Sequence, residues 1–133
     1  MADSKVTFEL VAPERLLVSA DVDMVVVPGA EGDFGVLRGH APLISTLRLG
    51  VIDIHESGAV ADRIFVAGGF AEVTAERCTV LAEQAIRVAD LSRGTIEGEI
   101  KGLRDRLAVA DSDGERGTLA ARIAVEEAKL AYV

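Results

Sequence analysis

The chain has 133 residues, a formal net charge of −8, one cysteine and no tryptophan. That length fits one domain, or one domain with a small appendage, and buries enough surface to fold without a disulfide or a metal. The acidic balance argues against a nucleic-acid partner, which calls for clustered Lys and Arg, and against direct insertion into or adhesion to anionic lipid; no apolar run is long enough to span a bilayer.

The N-terminal MADSKVTFEL lacks the apolar core of a secretion signal, so a soluble, cytosolic chain is expected. Val6, Phe8 and Leu10 alternate with polar neighbours, the period-two mark of a strand with one buried face, and Pro13 ends it. The run Arg15 to Val27 bends around Ala20-Asp21 and finishes in Met24-Val25-Val26-Val27. That ending suits a strand buried on both faces or one crossing between sheets.

Glycines recur through Pro28 to Ile54 at Gly29, Gly32, Gly35, Gly39 and Gly50. A phosphate loop would need G-x-G-x-x-G or a terminal Gly-Lys-Ser/Thr, followed directly by a helix whose N-terminus faces the anion. Neither pattern is present, and Pro42 with the β-branched run after it opposes a helix, so these glycines are read as turns between strands. Gly50 to Ile54 and Arg63 to Ala67 flank a turn at Glu56-Ser57-Gly58. Gly68-Gly69 reads as the next turn, then Phe70 to Thr74, a turn at Ala75-Glu76, and Thr79 to Ala82. Short strands with turns at such regular intervals predict an all-β sandwich or barrel. Cys78, in the apolar alternation with Val80 and Ala82, reads as a small buried residue in a reducing compartment.

The period changes near residue 88, which sets a domain boundary of 1–87 and 88–133. Ile96, Ile100, Leu103 and Leu107 lie on one face of a helix. A polar loop, Asp111 to Gly117, leads to a second helix capped by Thr118, with Leu119, Ile123 and Leu130 as its apolar stripe. So short a connection makes the pair an antiparallel hairpin. Gly94, Gly98 and Gly102 recur every four residues on the first helix, and Ala120, Ala124 and Ala128 on the second. Three helical glycines cost on the order of 3 kcal/mol against alanine, which predicts that the glycine stripe faces the alanine stripe so that the backbones approach closely.

Residues able to carry chemistry are few. His40 and His55 are the only histidines, no serine sits in a nucleophile elbow, and no metal-ligand spacing occurs. His40 before Ala41-Pro42 reads as a turn hydrogen-bonding residue. Glu31 and Asp33 sit at a glycine-rich tip, either as a solvated turn or as a docking surface that steers a partner.

GDFGVLRGH (Gly32 to His40), HAPL (His40 to Leu43), LGVIDI (Leu49 to Ile54) and VAGGFAEV (Val66 to Val73), in that order, resemble the epsilon-subunit family of bacterial F-type ATP synthases, the delta subunit of mitochondria. The resemblance runs along essentially the whole chain. It implies a sandwich of about ten strands followed by the helical hairpin. It further implies a non-catalytic part of the rotor, peripheral on the cytoplasmic face of the inner membrane, linking the gamma subunit to the ring of c subunits. In the family the loop matching Glu31, Gly32, Asp33 and Phe34, with His40, lies at that ring and the gamma foot.

The resemblance also implies contact of the hairpin with the alpha and beta subunits and inhibition of ATP hydrolysis through basic residues near its end. This chain departs there: its last helix offers Arg122 and Lys129 against Glu126 and Glu127, which argues against strong inhibition. Some members bind a regulatory ATP through Asp-x-x-Arg-Ala. Asp90 and Arg93 match, whereas Gly94 replaces the alanine, and the residues themselves favour a surface ion pair with Asp90 as helix cap. No other cofactor is expected. The competing reading is a free-standing β-sandwich module binding peptide or another ligand, with the hairpin as dimeriser. It would need an aromatic-lined groove, and Tyr132 is the single tyrosine.

Overall fold

Strand β1 (Val6–Ala12) buries Val6, Phe8 and Leu10, as its alternation requires, and pairs on one side with β2 (Arg15–Val22) and on the other with β8 (Arg77–Arg87). The computed structural model describes residues 4–133. Between these strands lie β3 (Met24–Gly29), β4 (Gly32–Val36), β5 (Leu43–Thr46), β6 (Gly50–Glu56) and β7 (Ala59–Val73). The chain divides into two compact units between Arg87 and Val88.

Eight continuous strands, in the order β2-β1-β8-β7-β6-β3-β4 with β5 beside β7, stand where about ten were expected. The difference lies in Gly68-Gly69, which is not a turn between strands but a bend inside β7. Ahead of the bend β7 pairs with β6, from Ala59 to Val66; beyond it β7 pairs with β5, from Phe70 to Val73. β8 follows β7 through the bend without a change of register, Ala67 opposite Gln84 and Gly69 opposite Ala82. One layer is therefore β2, β1, the first part of β8, the second part of β7, and β5. The other is the second part of β8, the first part of β7, β6, β3 and β4. Only glycine serves at the bend: Gly68 and Gly69 have φ of 73° and 107°, and a Cβ on Gly69 would lie 1.9 Å from the Leu81 carbonyl oxygen.

The inward faces of both layers meet in one core that includes Phe8, Leu10, Val25, Val27, Ile52, Ile64 and Val80. The run ending in Met24 to Val27 does not bury both faces. Val25 and Val27 are buried while Met24 and Val26 are half-buried, and the break from β2 falls at Asp23 rather than Ala20-Asp21. Cys78 lies in this core, where burial pushes its thiol up to about 12, so it is inert in the folded protein.

Lys5, Asp23 and Glu56 tie the start of β1 to the β2–β3 junction and the end of β6. Lys5 Nζ donates to Glu56 at 2.7 Å, the Asp23 amide donates to Glu56 at 2.6 Å, and the Ser57 amide donates to Asp23 at 2.8 Å. The bond to Glu56 raises the Lys5 pKa, and the bond from the Ser57 amide lowers that of Asp23.

In the second unit α1 (Arg93–Ala108) and α2 (Asp113–Lys129) form the hairpin around Leu103, Ala110, Leu119 and Ile123, with Leu107 against them. The second helix starts six residues earlier than Thr118, as its cap, would set it. Ser112 is its cap, its hydroxyl accepting from the Glu115 amide at 3.1 Å, while the Glu115 carboxylate accepts from the Asp111 amide at 3.4 Å. This reciprocal pairing, with two acids in the first turn, carries the helix through Gly114 and Gly117. Thr118 lies inside α2 and its hydroxyl donates back to the Gly114 carbonyl at 3.0 Å.

The glycine and alanine stripes do not face each other. A Cβ added to Gly94, Gly98 or Gly102 would meet nothing within 4 Å. Ile96, Ile100 and Leu103 occupy the buried face of α1 instead, and the glycines lie in open space on its exposed face.

Candidate functional site

The β3–β4 hairpin pairs Val27 with Phe34, Pro28 with Asp33 and Gly29 with Gly32, leaving Ala30 and Glu31 at its tip. The end of β5 and the residues after it brace it from the side: the Ala30 amide donates to the Thr46 carbonyl at 2.9 Å and the Arg48 amide to that of Pro28 at 3.0 Å. The Arg48 guanidinium completes the brace. Nη1 donates to the Gly29 carbonyl at 2.6 Å, and Nη2 pairs with the Asp33 carboxylate.

The expected contact residues thus divide by role. Glu31 is exposed, and among the described residues no group pairs with its carboxylate. Asp33 is taken up by Arg48 and shapes the hairpin. Phe34 is half-buried against the core, its ring lying where a Cβ on Gly29 would approach within 2.9 Å. Gly32, at a φ of 139°, closes the turn.

His40 is not brought to this tip. It follows β4 at the end opposite Gly32, and β4 covers about 13 Å at roughly 3.3 Å per residue. Its Nδ1 donates to the Ala41 carbonyl at 2.6 Å, and the neighbouring Gly39 amide donates to Ala75 in the β7–β8 turn at 2.6 Å. The turn hydrogen bond expected of this histidine is present, at a different corner of the sandwich from Glu31.

Asp90 and Arg93 do not pair among the described residues. Asp90 ends a short 3-10 turn, Val88–Asp90, and the cap of α1 is Ser92, whose hydroxyl accepts from the Thr95 amide at 3.4 Å. Arg93 Nη2 instead donates to the main-chain oxygen of Val133 at 3.1 Å. The serine succeeds as cap because it stands directly before the first helical residue, whereas Asp90 is still inside the preceding turn.

Two features leave no mark in the local sequence pattern. Arg48 carries no motif, and only the fold brings it to Asp33. The second is a row of apolar side chains on the outer face of the first layer, Leu16, Val11, Leu81 and Phe70, which are cross-strand neighbours on four strands. Each is an unremarkable apolar residue in its own strand, and only the register assembles them.

Residues 5–88 match the model of the family described as ATP synthase, Delta/Epsilon chain, beta-sandwich domain. The chain is 54% identical over 129 residues to the ATP synthase epsilon chain of Paramagnetospirillum magneticum, covering 97% of each. It is 54% identical over 124 residues to that of Rhodospirillum rubrum, covering 93% of this chain and 92% of the relative. Its fold is that of a chain in the Euglena gracilis mitochondrial ATP synthase, with a TM-score of 0.78 at 19% identity over 96% of this chain and 81% of the other. A chain in the central stalk and c-ring of the Tetrahymena thermophila enzyme superposes with a TM-score of 0.62 at 14% identity over 100% of both. With its sandwich domain matched and its relatives aligned over nearly their full length, the chain belongs to the ATP synthase delta/epsilon chain family.

Proposed function

We propose that the chain is a non-catalytic rotor subunit of a proton-translocating F-type ATP synthase, held on the cytoplasmic face of the inner membrane by protein contacts with the gamma subunit and the ring of c subunits. The observation that carries this reading is 54% identity to an ATP synthase epsilon chain over 97% of both sequences. A linking part must be stiff and must present fixed surfaces to its neighbours. The braced β3–β4 hairpin suits that task, with Glu31 as the charge free to meet basic and amide groups of the ring.

Regulation by the hairpin is read as weak. Lys129 pairs with Glu126 at 2.7 Å, Arg104 with Glu127 at 3.8 Å and Arg116 with Asp113 at 3.0 Å. Among the described residues this leaves Arg122 as the α2 cation without an ion pair. A regulatory ATP at Asp90 and Arg93 has little support, since Arg93 is turned to Val133. Heat on titration with millimolar ATP would contradict that reading.

The test is proton-driven ATP synthesis in vesicles carrying the synthase, with the chain removed and then restored. Synthesis is expected to fall on removal and return on addition. Unchanged synthesis without the chain would overturn the proposal.

A further inference from the structure

Most cations of this chain are engaged. Arg38 donates to the Lys5 carbonyl, Arg93 to the main-chain oxygen of Val133, and most of the others pair with carboxylates. Among the described residues, Arg15, Arg106 and Arg122 have neither an ion pair nor a hydrogen bond. Arg15 lies on β2, in the first unit. Arg106, in the last turn of α1, and Arg122, in α2, line one groove of about 190 Å³ on the helical hairpin. Gly98, Glu99, Gly102 and Leu103 complete its lining, and Glu99 also has no ion pair among the described residues.

The glycines give this groove its room. In a helix a long side chain lies back over the residue four places earlier, so Arg106 extends over Gly102, with Gly98 one turn further on. A glutamate at position 102 would be the ordinary ion-pair partner of that arginine. Glycine instead leaves open space, since a Cβ on Gly98 or Gly102 would meet nothing within 4 Å. Both glycines weaken α1, and no close approach of α2 accounts for them.

We infer that this groove is an anion site for one small tetrahedral oxyanion, hydrogen phosphate, held between Arg106 of α1 and Arg122 of α2. A guanidinium presents paired N–H donors in a planar fork that matches the oxygens of a phosphate. Two such groups in one groove repel each other until an anion lies between them. The groove is smaller than the roughly 300–1,000 Å³ of sites for drug-sized ligands, so it suits a single oxyanion rather than a nucleotide. Asp90 and Arg93 are not among its lining residues. Glu99 discriminates between oxyanions. An ionised carboxylate only accepts hydrogen bonds, so it favours an anion that carries a proton. Hydrogen phosphate has an O–H to donate, and sulfate has none. The site belongs to the free chain and needs no partner subunit.

The test is titration of the full chain with sodium phosphate at neutral pH, followed through the amide resonances of Gly98 and Gly102, with sodium chloride holding ionic strength constant. Saturation is expected with a Kd on the order of 1 mM, as befits two exposed charge-assisted contacts. Arg106→Gln and Arg122→Gln should each weaken binding about tenfold, and Arg15→Gln should leave it unchanged. Gly102→Glu, which sets a carboxylate of the chain itself beneath Arg106, should abolish it. Sulfate should bind about tenfold more weakly than phosphate, and Glu99→Gln should remove that difference. All these positions are exposed, and unchanged resonances elsewhere show that each variant folds. Shifts that chloride alone reproduces, or that persist in both arginine variants, would overturn the site and leave the rotor reading standing. Sulfate binding as tightly as phosphate would overturn hydrogen phosphate as the occupant. ATP binding more tightly than phosphate through Arg106 and Arg122 would overturn it too and identify a nucleotide instead.

Discussion

Arg48 pairs with Asp33 across the base of the β3–β4 hairpin and with its other nitrogen holds the Gly29 carbonyl, so one side chain braces both strands beneath Glu31. Glu31 and Asp33, adjacent acids of one tip, therefore do different work. Asp33→Asn should cost up to about 1 kcal/mol, as an exposed ion pair does, and speed hydrogen exchange at the tip amides. Glu31→Lys should leave stability within about 0.5 kcal/mol and weaken binding to the c-ring. Asp33→Arg should impair both, because it sets two guanidinium groups together. Equal stability losses at the two positions would contradict this division.

The bend in β7 makes Gly69 the least replaceable residue of the sandwich. Gly69→Ala, placing a Cβ on the Leu81 carbonyl oxygen at a φ of 107°, should destabilise by more than about 3 kcal/mol in denaturant unfolding. Gly39→Ala, at a φ of 91° with open space around it, should cost about 1–2 kcal/mol. A mild Gly69→Ala would show that β7 can bend without the close approach.

Open space beside the α1 glycines reverses the expectation drawn from their spacing. Gly98→Ala and Gly102→Ala should each stabilise α1 by roughly 0.5–1 kcal/mol, read as slower amide exchange in the helix. Destabilisation would mean that this face meets another backbone.

Asp23 and Lys5 each link the stability of the sandwich to pH. The Asp23 carboxylate titrates below its ordinary 3.8 in the fold, so its stabilisation is present above that value and is lost as pH falls through the lowered pKa. Lys5 titrates above 10.5, so its share is present below that value and is lost as pH rises through the raised one. The urea midpoint should therefore fall with acidification below about pH 4, and less steeply in Asp23→Asn than in the parent. Identical acid limbs would remove Asp23 from the account.

Period alone made much of this architecture legible. The alternation in β1 and β6, the turns at Ser57-Gly58 and Ala75-Glu76, and the stripe Ile96, Ile100 and Leu103 all appear in the fold as the spacing predicts. The fold departs from the local pattern where a local signal serves a nonlocal purpose. Gly68-Gly69 carries a turn's composition yet bends a strand, because β8 continues alongside it. Thr118 looks like a helix start only until Ser112 and Glu115 are seen to cap one earlier. The Asp33–Arg48 brace and the Leu16–Val11–Leu81–Phe70 row depend on which strands lie side by side, and no spacing within one strand encodes that.

The most direct measurement is purification of the synthase from membranes through a tag on this chain. The gamma and c subunits should elute with it in fixed proportion. Elution of the 14.0 kDa chain with neither subunit would contradict its place in the rotor.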